Sequence, residues 1–443
     1  MRIAVIGSGI SGNGAAFALS QAKDSFGKPL HDVVMYERRE RAGGHAHTVQ
    51  VDYDGRSIPV DIGFIVFNER NYPNFVALLR HLGVQSKRTN MSFGISRGDG
   101  ALEWASSNGI SSFFAQRRNM ISPSFLAMTR DMFRFNRLAL KDYQADLLGE
   151  RSLGADLSDR RFSAAFQNNY IVPMGAAIWS TPHASILDFP AESFIRFFKN
   201  HHLLTLFPPS WQTVVGGSRS YVSRLIAPFQ SGIRYGCGVQ RIFKRNGQVI
   251  VRDDKGHEDR FDHVVLASHS DQSLGMIDDP SPDQRRLLSA IPYRNNDVYL
   301  HRDPSLMPKR EKVWSAWNYI EAQTGRGSQK GVSVSYSMNL LQGIDKKYPL
   351  FVSLNPARPP REDLTFKKTR FAHPQYDANA LKAQEQLDLI QGRDNLWYCG
   401  AWCGYGFHED GLASGLAVAE RLGGRVPWRD YAKDPVPQLE AAE

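Results

Sequence analysis

Arg2-Ile3-Ala4-Val5-Ile6-Gly7-Ser8-Gly9-Ile10-Ser11-Gly12-Asn13-Gly14-Ala15-Ala16-Phe17-Ala18-Leu19 decides the architecture. Its first five residues form a short apolar run, which reads as a strand covered on both faces. Gly7, Gly9 and Gly12 follow in G-x-G-x-x-G spacing, with small Ala16 beyond them. The first glycine permits a tight turn, the second lets backbone approach a diphosphate, and the third brings the helix close to the strand. Ile10 to Leu19 reads as that helix, with Ser11 in its first turn, and its free N–H groups face the phosphates. Lys23 to His31 contains Gly27 and Pro29 and reads as a loop. Asp32 to Glu37 is a second buried strand, so the opening is a βαβ unit. Glu37 ends it, where a carboxylate accepts from a ribose 2′-OH and repels a 2′-phosphate.

Outward from this unit, the totals describe an ordinary globular chain. It has 443 residues, 42% hydrophobic and 22% charged, which calls for two or three structural units. No run approaches ~20 apolar residues, so no spanning helix is expected. The chain opens directly on a strand, so we read no secretory leader. Cys237, Cys399 and Cys403 suit neither a disulfide framework nor a zinc site, and we expect no metal and a cytoplasmic setting. The net charge of +9 favours anionic partners.

The texture changes along the chain. From 100 to 210, helical segments rich in aromatics and arginine dominate. Val249-Ile250-Val251-Arg252 and Phe261 to Ala267 read as a strand meander around the turn Asp254-Lys255-Gly256. Residues 291–355 carry mixed strand signals. Near the end, a strand from Asn395 to Cys399 enters a glycine-rich turn and a helix from Gly411 to Leu422. We therefore expect an α/β protein. Residues 1–90, 211–290 and 391–430 form a discontinuous, Rossmann-like dinucleotide domain of glutathione-reductase type. Residues 91–210 and 291–390 form a mixed α+β substrate domain, and 431–443 a tail.

Further motifs carry a resemblance. Glu37 to Thr48 reads E-R-R-E-R-A-G-G-H-A-H-T. It resembles the segment after the second strand in amine oxidases and phytoene-desaturase-like flavoproteins, whose usual pattern is E-x-R-x-x-x-G-G-R. The likeness implies non-covalent FAD, with Arg39, Gly43 and Gly44 beside its diphosphate. His45 stands in place of the usual arginine and offers one donor rather than a fork. Asp61-Ile62-Gly63-Phe64 looks like the turn whose backbone lies beside the isoalloxazine, at Gly63 and Phe64, and Val239 like the residue whose backbone meets adenine. Tyr398 to Gly415 resembles the second strand, turn and helix, implying Gly400, Gly411 and Leu412 near the flavin, with the helix start favouring negative charge on the reduced ring. Trp402 occupies the position of the family's acid toward the ribityl chain, and we expect Glu409 or Asp410 to take over. These distant segments supply the far half of a long dinucleotide, which fits FAD rather than NAD.

A narrower resemblance rests on Gly404 to Leu412 (GYGFHEDGL), Leu300 to Pro308, Ser315 to Tyr319 and Ser335 to Gly343. Together they are similar to bacterial flavoproteins encoded beside cyclopropane-fatty-acid synthases and related lipid methyltransferases. The resemblance covers residues 1 to about 425. It implies dehydrogenation of methyl-branched or cyclopropane-type acyl chains in membrane phospholipid, as in furan fatty acid biosynthesis. Tyr405 and His408, on the turn expected beside the ring, are then the candidate orienter and base, with His269 behind them. The residues offer a parallel sign. Phe125, Met128, Met132, Phe135 and Ala139 share one helical face, with Arg130, Arg134, Arg137 and Lys141 near the other. That helix reads either as a domain helix with a solvated basic side or as one seated on an anionic bilayer. Phe194 to Leu206 reads as core or as the rim of an apolar tunnel. The expected partners are a phospholipid acyl substrate, an anionic membrane surface at the inner face, and a lipid methyltransferase, with no nucleic acid. Two rivals stand beside this reading: a soluble flavin amine oxidase, and a non-catalytic flavoprotein that presents lipid to a methyltransferase.

Overall fold

The computed structural model describes residues 1–106, 109–145, 147–149, 151–179, 183–200, 203–204, 210–321 and 333–430. The expected tail, 431–443, lies outside them, as do His201 and His202.

Arg2–Ile6 is the central strand of a five-stranded parallel sheet. The order is Ile233–Arg234, Asp32–Tyr36, Arg2–Ile6, His263–Leu266 and Leu396–Tyr398. Ile3, Ala4 and Val5 are wholly buried, which is why the strand is apolar without alternation. The chain leaves this strand to one side, at Asp32–Tyr36, and returns on the other, at His263–Leu266. The crevice at its carboxyl end is therefore the topological switch point where open α/β sheets hold ligands.

The meander is Val239–Arg245, Gln248–Asp253 and Glu258–Phe261. It ends earlier than the sequence suggests. Asp262 exchanges hydrogen bonds with the backbone of Arg2 through its own N–H and carboxylate, and this turns His263–Leu266 into the parallel sheet.

The helix Ile10–Gln21 packs against the helix His408–Arg421. A methyl on Gly415 would meet Ser11 O at 2.1 Å, and one on Gly411 would meet Ile10 Cγ2 at 2.8 Å. Glycines thus let the two helices approach to backbone contact, bringing both N-terminal ends to the same crevice.

Above this domain lies a seven-stranded sheet in the order Thr365–Pro374, Tyr293–His301, Phe351–Leu354, Ser333–Ser337, Trp317–Glu321, Phe93–Arg97, Leu102–Ala105. All its pairs are antiparallel except Trp317–Glu321 with Phe93–Arg97. Helices Pro123–Gln144, Leu153–Asp159, Val172–Trp179 and Ala191–Asn200 complete this part.

Candidate active site

A cavity of about 990 Å³ runs from the carboxyl end of Arg2–Ile6 to the inner face of the seven-stranded sheet. This lies at the upper end of the roughly 300–1,000 Å³ usual for small-molecule sites.

Gly7, Gly9, Ser11, Glu37 and Arg39 line its first end. Gly7 has φ +102° and is pressed against Ala267 O; a methyl on Gly12 would lie 1.9 Å from Gly7 O. The protein itself therefore demands those two glycines, and Gly12 acts behind the cavity rather than on it. Gly9 differs, because nothing lies within 4 Å of where its Cβ would stand. That open side faces the cavity and suits the close approach of a diphosphate. Glu37 accepts from Ser8 N at 3.1 Å, Ser8 Oγ at 2.5 Å and Arg39 N at 2.8 Å. Gly43 N donates to Ser8 O at 2.8 Å, and a methyl on Gly44 would touch Gly9 Cα at 3.0 Å. The two glycine runs thus form one cradle. Arg41 donates to the carbonyls of Ala42, Gly44 and Ala46 and holds its shape. Val239 lines the wall beside Glu37.

In the middle stand His45, Gly63, Phe64, Gly400 and Trp402. Phe64 N donates to His45 O at 2.9 Å. Trp402 Nε1 donates to Ser268 O at 3.0 Å, so the indole seals the wall. His45 Nε2 and His269 Nδ1 are buried without a protein partner. With His373, whose ring is 5.6 Å from that of His45, they form a group of imidazoles. Burial holds His45 well below its ordinary range and pushes His269 and His373 down to about 4. At neutral pH they are uncharged.

The far arm is apolar: Met91, Phe93, Met174, Ile178, Phe197, Leu203, Trp317, Tyr336, Val352 and Leu354. Phe197 and Leu203 thus supply a wall, while Phe194 and Phe198 of the same segment are core. Among the described lining residues there is no lysine, and Glu37 is the single carboxylate.

Six residues change assignment. Tyr405 does not line the cavity; its ring lies 6.0 Å from Phe197 and under Arg196. Glu409 accepts from Asn74 N, Asn74 Nδ2 and Phe75 N at 2.7–2.9 Å and so caps the helix Pro73–His81. Asp410 accepts from Tyr405 N and Phe407 N at the start of its own helix. Both acids are occupied by backbone donors, so neither extends toward a ribityl chain. Gly411 and Leu412 pack on the first helix, against Ile10 and Gly14. His408 does line the cavity, yet its ring stacks on Phe64 at 3.8 Å and its Nε2 lies 2.6 Å from Tyr221 Oη. Burial pushes it down to about 3, which leaves a neutral, weakly basic imidazole that orients Phe64. Sequence reasoning missed Tyr293, Phe371 and His373. Tyr293 stacks on His269 at 4.4 Å and accepts from Ser270 N. These residues come from two paired strands far apart in the chain, and no local spacing announces them.

A family model described as flavin containing amine oxidoreductase matches residues 10–311. The chain belongs to that family. Its cofactor is FAD, and the cradle at Gly9 with the acceptor Glu37 fits the group. No curated protein matches the sequence. Among solved structures, cyclohexylamine oxidase from Brevibacterium oxydans IH-35A is similar, with TM-score 0.67, 15% identity, and coverage of 95% of this chain and 99% of that one. Putrescine oxidase bound to putrescine gives 0.65, 15%, 95% and 99%. A fatty acid isomerase from P. acnes, which produces CLA, gives 0.64, 16%, 95% and 98%. At these identities the likeness is one of fold.

No described helix is long and apolar enough to cross a membrane. Among the described residues, no group of three or more His, Cys, Asp or Glu is arranged to hold a metal.

Proposed function

We propose that this flavin oxidoreductase dehydrogenates the acyl chains of membrane phospholipids, of the methyl-branched or cyclopropane type, while resting peripherally at the inner membrane face. The observation that carries this reading is the apolar far arm, whose described lining has no carboxylate or lysine. An acyl chain needs only apolar contact there, whereas a protonated amine would lose water without gaining a counter-ion. The same fold serves a fatty acid isomerase.

Bound FAD supplies a two-electron acceptor for hydride. The chain's own residues do the rest. Phe197, Trp317 and Tyr336 align the chain and exclude water. His269, uncharged and lining the cavity, accepts the proton that leaves as the C–C bond becomes C=C. Cys399, buried and pushed up to about 12, is no nucleophile. We accordingly expect FAD to leave the polypeptide on acid precipitation, and retention would contradict non-covalent binding.

A soluble amine oxidase is the second reading, favoured by the family and by two of the similar structures. Anaerobic mixing with methyl-branched acyl phospholipid in detergent micelles separates them. Loss of the oxidised-flavin absorbance supports acyl dehydrogenation. Loss with primary amines but not lipid overturns it. Tight lipid binding with no loss favours a non-catalytic partner of a lipid methyltransferase.

A further inference from the structure

Ordinary folding leaves large apolar side chains in water singly. Here they gather. Among the described residues, eleven large hydrophobics are exposed, and five lie between Ile110 and Phe133. Ile121 is 82% exposed, Ile110 79%, Phe133 60%, Met120 56% and Leu126 46%. Met120 and Ile121 directly precede the helix Pro123–Gln144. Leu126 and Phe133, seven residues apart, share its outer face with Arg130 and Arg137. Its inner face buries Phe125, Met128, Phe135 and Ala139.

The charge of this edge is one-signed. The two acids between 109 and 144, Asp131 and Asp142, are both buried. Asp131 accepts from Ser163 N and Arg130, and Asp142 pairs with Arg160. Arg117, Arg118, Arg130, Arg137 and Lys141 remain exposed. Arg134, which the sequence places with them, is instead tied inward. It donates to Arg160 O at 2.6 Å and lies 4.5 Å over the Phe162 ring.

We infer that this edge is a bilayer-docking surface, with Met120, Ile121, Leu126 and Phe133 inserted at the headgroup–acyl boundary of an anionic membrane and Arg117, Arg130 and Arg137 on its phosphates. Exposed apolar knobs set among arginines, with the acids withdrawn, complement such a boundary. The placement also has a use. The docking helix packs on Ala191–Asn200, whose Phe197 lines the apolar arm. One helix therefore separates the bilayer from the cavity. The choice of a bilayer as occupant rests on the acyl-chain reading; the edge itself does not.

The test is co-sedimentation of the FAD-loaded protein with phosphatidylglycerol-containing vesicles and with pure phosphatidylcholine vesicles. We expect binding to the first, weakened by salt, and little to the second. Arg130→Gln with Arg137→Gln should weaken it roughly 10-fold or more. Ile121→Ser with Phe133→Ser should abolish it at low salt, with flavin content and thermal unfolding unchanged. Arg285→Gln, a charge loss elsewhere on the surface, should bind like the parent. Absence of binding by the parent, or parent-like binding by both double variants, overturns the surface. So does a dimer in sedimentation velocity that dissociates on Ile121→Ser/Phe133→Ser while vesicles are ignored. Flavin reduction by acyl lipid in micelles is scored separately. Reduction without vesicle binding removes the docking surface alone, and vesicle binding without reduction removes the acyl reading alone.

Discussion

At Glu37, one buried carboxylate accepts from Ser8 and Arg39 and also faces the cavity. Replacing it with glutamine turns one acceptor into a donor that meets N–H groups. We expect Glu37→Gln to cost roughly 1–3 kcal/mol of flavin binding, measured by titrating FAD into the stripped protein; unchanged affinity would remove Glu37 from the cofactor site. The glycines of this end were readable in sequence because their constraint is local: φ at Gly7, the Gly7–Gly12 contact, and open space at Gly9. Glu409 and Asp410 were not. An acid at a helix start serves a ligand or a backbone equally well, and the donors that claim Glu409 belong to Asn74 and Phe75, far away in the chain.

Between elements, the contact of the first and last helices decides whether the cradle forms. Alanine normally stabilises a helix by about 1 kcal/mol relative to glycine. At Gly415 we expect the opposite sign, because the new methyl would lie 2.1 Å from Ser11 O. Overpacking of this kind costs ~1–3 kcal/mol. Gly415→Ala should therefore lower both Tm and flavin content, and a raised Tm would contradict the close packing. Glu409→Ala should destabilise by about 1–2 kcal/mol, the scale of a lost helix cap, while leaving the flavin spectrum of the folded fraction unchanged. Element types followed from the apolar runs, as with Arg2–Ile6 and Asp32–Tyr36. The border at Asp262 escaped because contacts with Arg2, at the start of the chain, set it.

Across the whole molecule, buried histidines set the response to acid. Burial pushes His269, His301 and His373 down to about 4 and His408 to about 3. In the unfolded chain they take protons near 6.5. Between about 6.5 and 4 the unfolded state therefore binds more protons, and stability falls as pH falls. Each such shift is worth on the order of 3 kcal/mol. Asp410, raised by burial to about 6, works in the opposite sense, as do Asp61 and Glu409, but the lowered imidazoles, which include His45 and His47, outnumber these acids. We expect Tm to drop steadily from pH 7 to pH 4.5 in scanning calorimetry, and a flat profile would contradict the buried neutral imidazoles. The parallel sheet has a different consequence, in the timing of synthesis. Its central strand is Arg2–Ile6 and its last is Leu396–Tyr398. A ribosome needs on the order of half a minute to travel between them. Throughout that interval the sheet lacks its edge strand, and the helix after the glycine turn lacks its partner, His408–Arg421. Maturation is thus post-translational by construction, and stalled chains ending before Leu396 should emerge colourless and depend on chaperones.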